Sequence, residues 1–361
     1  MSVSSYFSSD YGQSRKRFLE ASKQAGAVVT SYQCPGTGPE GETLTTDVAW
    51  HGNPDSERVL VSISGTHGAE GFCGSGVQIG WLESGLYKEL PDDTALLQIH
   101  AINPHGFAWL RRVTEENIDL NRNFVDHTKP YPRNAAYAEL ADVICPTTWD
   151  DATISETQKT LKAYADSHGE KTLQAAVSGG QYSHPGGLFF GGNGASWSNR
   201  TLMEIFSTRL ARARHVAAID YHTGLGPRGY GERICCHQPG SDELKRTMAW
   251  YDGDATSPYL GTSSSVELHG VNVFGMERCL PHADLTAIAL EYGTLSSPEV
   301  TLALRADNWL HLYGDPASRK GQDIKRQVRE AFYQDADDWK ADIWNRAVET
   351  QRLALRGLAE S

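Results

Sequence analysis

Several things are missing from these 361 residues, and each absence narrows the reading. There is no Cys-x-x-Cys pair. The six cysteines (Cys34, Cys73, Cys145, Cys235, Cys236 and Cys279) are scattered, which points to reduced thiols in a cytoplasmic protein. There is no excess of basic charge. A formal net charge of −12 disfavours nucleic acid, which needs a basic face for its phosphates. The Met-Ser-Val-Ser-Ser-Tyr-Phe start has neither a basic segment nor an apolar core, so no signal peptide is expected and the expected localisation is cytoplasmic. No apolar run approaches the length of a membrane span, so no membrane partner is expected. No Gly-x-Ser-x-Gly elbow is present, which removes the usual signature of a serine hydrolase. Repeats, low-complexity tracts and interdomain linkers are absent too, so the chain reads as one domain over 1–361.

What remains is an ordinary globular composition, 39% hydrophobic and 22% charged. Residues 5–24 read as a helix. Residues 27–33 and 43–51 read as a hairpin around the Pro-Gly-Thr-Gly-Pro loop at 35–39. Strands follow at 58–64, 95–102, 215–221 and 286–292, with a helix over 72–86. The strand–helix–strand order predicts parallel pairing through right-handed crossovers. Residues 133–178 are mostly helical, and further helices are expected at 196–214, 241–251 and 297–357, the last broken around Gly314-Asp315-Pro316. Residues 107–128 look polar and irregular, and 255–285 show no clear pattern. Seven of the sixteen residues at 179–194 are glycine, which suggests a loop held close to a ligand or another backbone.

The chain is organised around residues 60–74. Val59, Leu60, Val61 and Ile63 make a short apolar strand, closed by Gly65, and His67 and Glu70 follow in a Gly-rich turn. An imidazole and a carboxylate three residues apart on a tight turn can converge on a metal such as zinc. The end of a sheet strand is also where open α/β sheets place their sites.

Three further segments carry complementary groups. Arg112 precedes the run Asp119-Leu120-Asn121-Arg122-Asn123-Phe124. His222 comes directly after the apolar strand 215–221, and Glu291 lies near the end of the strand 286–292. Metal-assisted amide hydrolysis needs three protein ligands with an open position, a carboxylate to move a proton, a cation facing the developing oxyanion, and a fork for a substrate carboxylate. His67, Glu70 and His222 suit the ligand roles, Glu291 the base, Arg112 the oxyanion contact, and Arg122 with Asn121 the clamp. A carboxylate in so apolar a strand is costly unless it serves a purpose, and burial would raise its pKa towards a useful range. Asp220 either orients a histidine or makes a structural hydrogen bond.

Together these motifs resemble the zinc carboxypeptidase superfamily, and its aspartoacylase and succinylglutamate desuccinylase side more than its pancreatic side. The resemblance rests on Gly-Thr-His67-Gly-Ala-Glu70-Gly, Asn103-Pro104, Asp119-Leu-Asn121-Arg122-Asn-Phe, Asp220-Tyr-His222-Thr-Gly and Glu291-Tyr-Gly, in that order over residues 58–293. The overall likeness is to a little-characterised bacterial branch of carboxypeptidase-like proteins. It implies an α/β fold with a mixed, mostly parallel eight-stranded sheet flanked by helices, and one zinc ion per chain. It also implies hydrolysis of a C–N amide bond, with release of an amino acid from a short peptide or an N-acyl amino acid bearing a free carboxylate.

The chain departs from that pattern in places. Glu70 and His222 are 222 − 70 = 152 residues apart, longer than the resemblance leads one to expect. The excess falls within about 133–200, and the helices at about 297–357 read as a C-terminal extension. The Arg111-Arg112 doublet leaves two candidates for the oxyanion contact, with Arg112 nearer the Asn-Arg motif. Tyr182 and Tyr230 are both candidates for a mobile tyrosine over the substrate. The alternatives are an esterase or deacylase acting on a non-peptide acyl group, and a metal-containing binding module without catalysis. His105, His184, His237 and His282 read as structural. Trp197 and Asn199 either line the site or belong to a helix start at Ser196 or Ser198.

Overall fold

The computed structural model describes residues 2–361. Seven strands form one mixed sheet: β1 (Val28–Thr37), β2 (Thr43–His51), β3 (Arg58–Ile63), β4 (Thr94–His100), β5 (His215–Arg228), β6 (Gly231–Ile234) and β7 (Asp284–Gly293). Their order is β1-β2-β4-β3-β5-β7-β6. The four central strands β4, β3, β5 and β7 are parallel, and β1, β2 and β6 add antiparallel edges. The sheet therefore has seven strands among the described residues rather than the expected eight. Beyond β6, Thr256 makes only an isolated bridge with Ile234. The chain then turns at Pro258, which has no N–H to extend a ladder.

Both faces of the central strands are apolar, as parallel strands require. On one face Leu60, Leu96, Ile219 and Leu290 pack under the helices Gly71–Glu83 and Asp337–Ala359. On the other, Val61, Ile63, Leu97, Val216 and Ala287 pack under the helices Trp197–Arg209 and Asn272–Cys279. The last helix, Asp337–Ala359, is thus part of a core layer. Its Ile343 and Leu358 are fully buried, each stabilising the fold by about 1.5–3 kcal/mol. The helices Ala135–Ile144 and Glu170–Ser178 form a third apolar cluster with the helices Ser297–Tyr313 and Arg319–Phe332.

Local chemistry explains the element boundaries. Asp10 caps the first helix, Tyr11–Gln24, by accepting from Gln13 N. Gly85, at φ +82°, turns the chain out of Gly71–Glu83. That helix needs its glycines: a Cβ on Gly74 would lie 2.7 Å from Ser64 Cβ, so a larger residue would push the helix off β3. The expected end of β5 at residue 221 is overrun, because pairing with β7 continues through His222 and Thr223 before a bulge. Among the described residues, no helix is long and apolar enough to cross a membrane.

Candidate metal centre and its cleft

The period of two along a strand puts Asp220 and His222 on one face of β5, and Ala289 and Glu291 on the corresponding face of β7. The register pairs His222 with Glu291 directly. β3 runs parallel beside β5 and delivers the turn carrying His67 and Glu70 to the same end of the sheet. That turn lies against the segment Gly106–Arg112. Gly68 N and Ala69 N donate to Arg112 O and Arg111 O at 3.2 and 2.8 Å. A Cβ on Gly68 would land 1.8 Å from the Gly106 carbonyl carbon.

Three ligand groups converge. His67 Nδ1 is 2.9 Å from Glu70 Oε1, His222 Nδ1 is 3.0 Å from Glu70 Oε2, and the two Nδ1 atoms are 3.2 Å apart. All three residues are buried. The far nitrogen of each ring faces a carboxylate: His67 Nε2 lies 3.1 Å from Asp119 Oδ1, and His222 Nε2 lies 2.7 Å from Asp220 Oδ2. A carboxylate only accepts, so in the neutral rings both Nε2 atoms carry the protons and both Nδ1 lone pairs point inward. Two lone pairs and a carboxylate at these separations call for positive charge among them, which a metal ion or a proton can supply. Ligand atoms about 2.0–2.1 Å from a tetrahedral metal lie about 3.3 Å from one another, close to the edges of this triangle.

The electrostatics agree. Burial opposes the charged form of His222, but Asp220 and Glu70 outweigh it and raise its pKa well above the usual value. Burial would raise the Glu70 carboxyl, but the two histidines hold it well below its ordinary range. The pocket favours positive charge at its centre.

Glu291 is half-buried at the rim of this centre, and Leu225 N donates to its Oε1 at 3.1 Å. Its pKa is pushed up to about 8, by burial first and then by the Glu70 charge. Arg112 lies between two acids: its Nη1 donates to Glu70 Oε1 and its Nε to Asp119 Oδ2, both at 2.9 Å. Arg111 turns away to Asp307 and Asn117, so of the doublet only Arg112 lines the cleft.

Arg122 also lines the cleft, but much of its guanidinium is already engaged. Nε and Nη2 both donate to Ser178 O, at 3.1 and 2.6 Å, and Nη1 donates to Asn121 O at 2.9 Å. One hydrogen on each terminal nitrogen is left for a ligand. The Asn121 Oδ1 accepts from Asn272 N at 2.8 Å, which leaves the Nδ2 amide as the group it can offer.

The cleft encloses a cavity of about 180 Å³. Its lining includes the apolar side chains of Ala218, Ala287, Ala289, Leu268, Val273 and Met276. The Gly-rich loop at 179–194 lies close to another backbone, as expected. A Cβ on Gly191 would sit 2.8 Å from Arg122 O, and Phe189 places its ring 5.2 and 5.6 Å from the guanidinium carbons of Arg112 and Arg122.

Some expectations do not reach the site. Tyr182 donates its OH to Arg122 O at 2.6 Å, and Tyr230 is exposed beside Arg346; neither lines the cleft. His105, His184, His237 and His282 lie outside it, as do Trp197 and Asn199, and Ser196 caps the helix by accepting from Asn199 N. Conversely, the sequence assigned no role to Asp119, Phe189 or Asn272. Asp119 stands in the motif run between two arginines, which was a usable signal. Asn272, whose Nδ2 donates to Asp220 Oδ2 at 2.6 Å, falls in the unpatterned stretch 255–285.

Fold and site together define an α/β protein with a parallel-centred mixed sheet and a His–Glu–His cluster of metal-binding geometry. Residues 7–346 match the family described as "Protein of unknown function (DUF2817)", and the chain belongs to that family. No curated protein matches the sequence. Among solved structures the chain is similar to carboxypeptidase A from Helicoverpa armigera, with 13% identity, 90% of this chain and 74% of that one covered, and a TM-score of 0.47. It is also similar to a putative succinylglutamate desuccinylase/aspartoacylase family protein from Shewanella amazonensis (17% identity, 78% and 72% covered, TM-score 0.37). A third is the succinylglutamate desuccinylase from Chromobacterium violaceum (14% identity, 86% and 72% covered, TM-score 0.38).

Proposed function

We propose that this chain is a zinc-dependent hydrolase of C–N amide bonds that releases an amino acid from a short peptide or an N-acyl amino acid. The observation that carries the reading is the inward-facing triangle of His67 Nδ1, His222 Nδ1 and the Glu70 carboxylate, with Glu291 beside it. Zinc held there supplies a Lewis acid and lowers the pKa of a bound water.

The chain's own groups do the rest. Glu291, with Oε1 held by Leu225 N, takes a proton from the attacking water and delivers it to the leaving nitrogen. Burial pushes the Glu291 pKa up and a bound cation would bring it back down, so the carboxyl can both take and return the proton. Arg112, fixed by Glu70 and Asp119, keeps an unengaged Nη2 for the oxyanion. Asn121 Nδ2 and the remaining Arg122 hydrogens hold the substrate carboxylate. The apolar part of the cavity accepts an uncharged side chain. One water is consumed, and an acid and an amine are formed.

The test is a panel of peptides, N-acyl amino acids and simple esters incubated with zinc-loaded protein, with products read by mass spectrometry and Glu291→Gln as the blank. Release of an amino acid that is absent in the blank supports the reading. Cleavage of esters alone would move the protein to the esterase alternative, and turnover by Glu291→Gln would remove the assignment of the base.

A further inference from the structure

A second buried polar cluster holds the segment that carries Arg112. Lys325, in the helix Arg319–Phe332, donates to Asp307 Oδ1 at 2.6 Å, His311 Nε2 at 2.6 Å, Trp109 O at 2.9 Å and Leu110 O at 3.4 Å. Asp307, in the helix Ser297–Tyr313, also accepts from Arg111 Nε at 3.1 Å. Asp307 and Arg111 are buried and Lys325 nearly so.

We propose that Lys325, Asp307 and Arg111 form a positioning clamp that fixes the Trp109–Arg112 segment, and through it the Arg112 guanidinium and the His67–Glu70 turn. The segment is unfavourable on its own. Leu110 sits at φ +50°, a conformation that costs a non-glycine residue about 1–2 kcal/mol. Its Trp109 and Leu110 carbonyls find their side-chain donor in Lys325. The next two carbonyls, of Arg111 and Arg112, receive the N–H groups of Ala69 and Gly68, which stand between His67 and Glu70. The clamp reaches further through Arg111 Nη2, which donates to Asn117 Oδ1 at 3.2 Å. Asn117 Nδ2 in turn holds Pro185 O and Gly187 O of the Gly-rich loop at 2.9 and 3.2 Å.

A buried ion cluster is a poor device for stability as such, because desolvation offsets the attraction. This one is arranged differently from a plain ion pair: two cations share one carboxylate, and the ammonium's other hydrogens face main-chain carbonyls of the strained segment. Burial depresses the Lys325 pKa, while burial with Arg111 takes His311 down to about 3, so His311 is a neutral acceptor. The charge facing the segment is that of Lys325 and Arg111 against Asp307 alone.

The metal arm of the test rests on the proposed zinc site, and the exchange arm does not. Lys325→Met is compared with Lys325→Arg, which keeps donors, and with Leu310→Ala, which opens a cavity in the same helix pair without touching the segment. Hydrogen–deuterium exchange at Gly68 and Ala69 is read in metal-free protein, and zinc affinity by competition with a chromogenic chelator. The clamp predicts at least tenfold faster exchange and roughly 10–100-fold weaker zinc binding in Lys325→Met, partial rescue in Lys325→Arg, and neither change in Leu310→Ala. If Lys325→Met does not fold, Asp307→Asn takes its place. Equal exchange in Lys325→Met and Leu310→Ala, or a lowered melting temperature with unchanged exchange, overturns the clamp. If the unaltered protein binds no zinc, the proposed function fails and the exchange comparison still decides the clamp.

Discussion

His222 and Glu291 are register partners on the adjacent parallel strands β5 and β7, their side chains on one face of the sheet. A candidate metal ligand and a carboxyl with a raised pKa are therefore neighbours by virtue of strand pairing alone. The consequences can be measured one at a time.

Zinc should stabilise the protein by linkage, by about 2.7 kcal/mol at a hundredfold excess over its Kd. His222→Ala removes one of three ligands and should abolish the shift. Thermal unfolding with zinc and with chelator checks this; an equal shift in both proteins would place the metal elsewhere.

Asp119 faces His67 Nε2 and Arg112 Nε together. Asp119→Asn should weaken zinc binding about 10–100-fold, because the amide has no negative charge and only one acceptor oxygen for the two donors, His67 Nε2 and Arg112 Nε. Zinc titration against a competing chelator reads the change, and unchanged affinity would leave Asp119 with a purely structural role.

Glu291 makes a pH-dependent contribution of known sign. Its folded pKa, about 8, exceeds the unfolded value of 4.5. The folded state therefore binds the proton more tightly, and its stability falls as pH rises from about 4.5 to 8. In metal-free protein Glu291→Gln should be more stable than the parent at pH 9, by about 1–3 kcal/mol, and equal to it at pH 4. Urea unfolding in chelator at the two pH values decides. A variant less stable at pH 9 would show that the carboxylate is better accommodated than its surroundings indicate.

Arg122→Ala should raise KM for substrates with a free carboxylate more than for the matching neutral amides. Because Arg122 also holds Ser178 O, Arg122→Lys separates a general loosening of the helix Glu170–Ser178 from loss of the clamp. An equal effect on charged and neutral substrates would eliminate the clamp.

His100 is fully buried, stacked on Phe18 at 4.5 Å, with Nδ1 unpaired among the described residues. Burial lowers its pKa from 6.5 to about 4. The unfolded chain binds this proton first, so stability is complete above about pH 6.5 and is lost as pH falls towards 4. The contribution is about 3 kcal/mol. Unfolding measured across pH 4–7 should show a shallower slope in His100→Gln, and an unchanged slope would mean that the folded protein does not depress the pKa of the ring.

The parallel-centred sheet was legible because its strands are short apolar runs closed by glycine, a pattern set by burial on both faces. The ligand candidates were legible because His67, Glu70, His222 and Glu291 stand at or near the ends of such runs. β6 was not legible: its four residues, Gly231–Ile234, include Glu232 and Arg233 and acquire strand character only by pairing with β7. Asn272 was not legible either, since its role depends on a helix that packs on the same face of the sheet as Asp220.

The sequence by itself determined which residues could act, because residue chemistry and its position at a strand end are local properties. Tertiary structure decided which of them meet. Register placed Glu291 beside His222, the turn after β3 placed His67 and Glu70 against them, and packing sent Arg112 into the cleft and Arg111 to Asp307. Two adjacent arginines are equivalent in a sequence, and only the field of buried carboxylates around them, assembled from distant segments, makes them different.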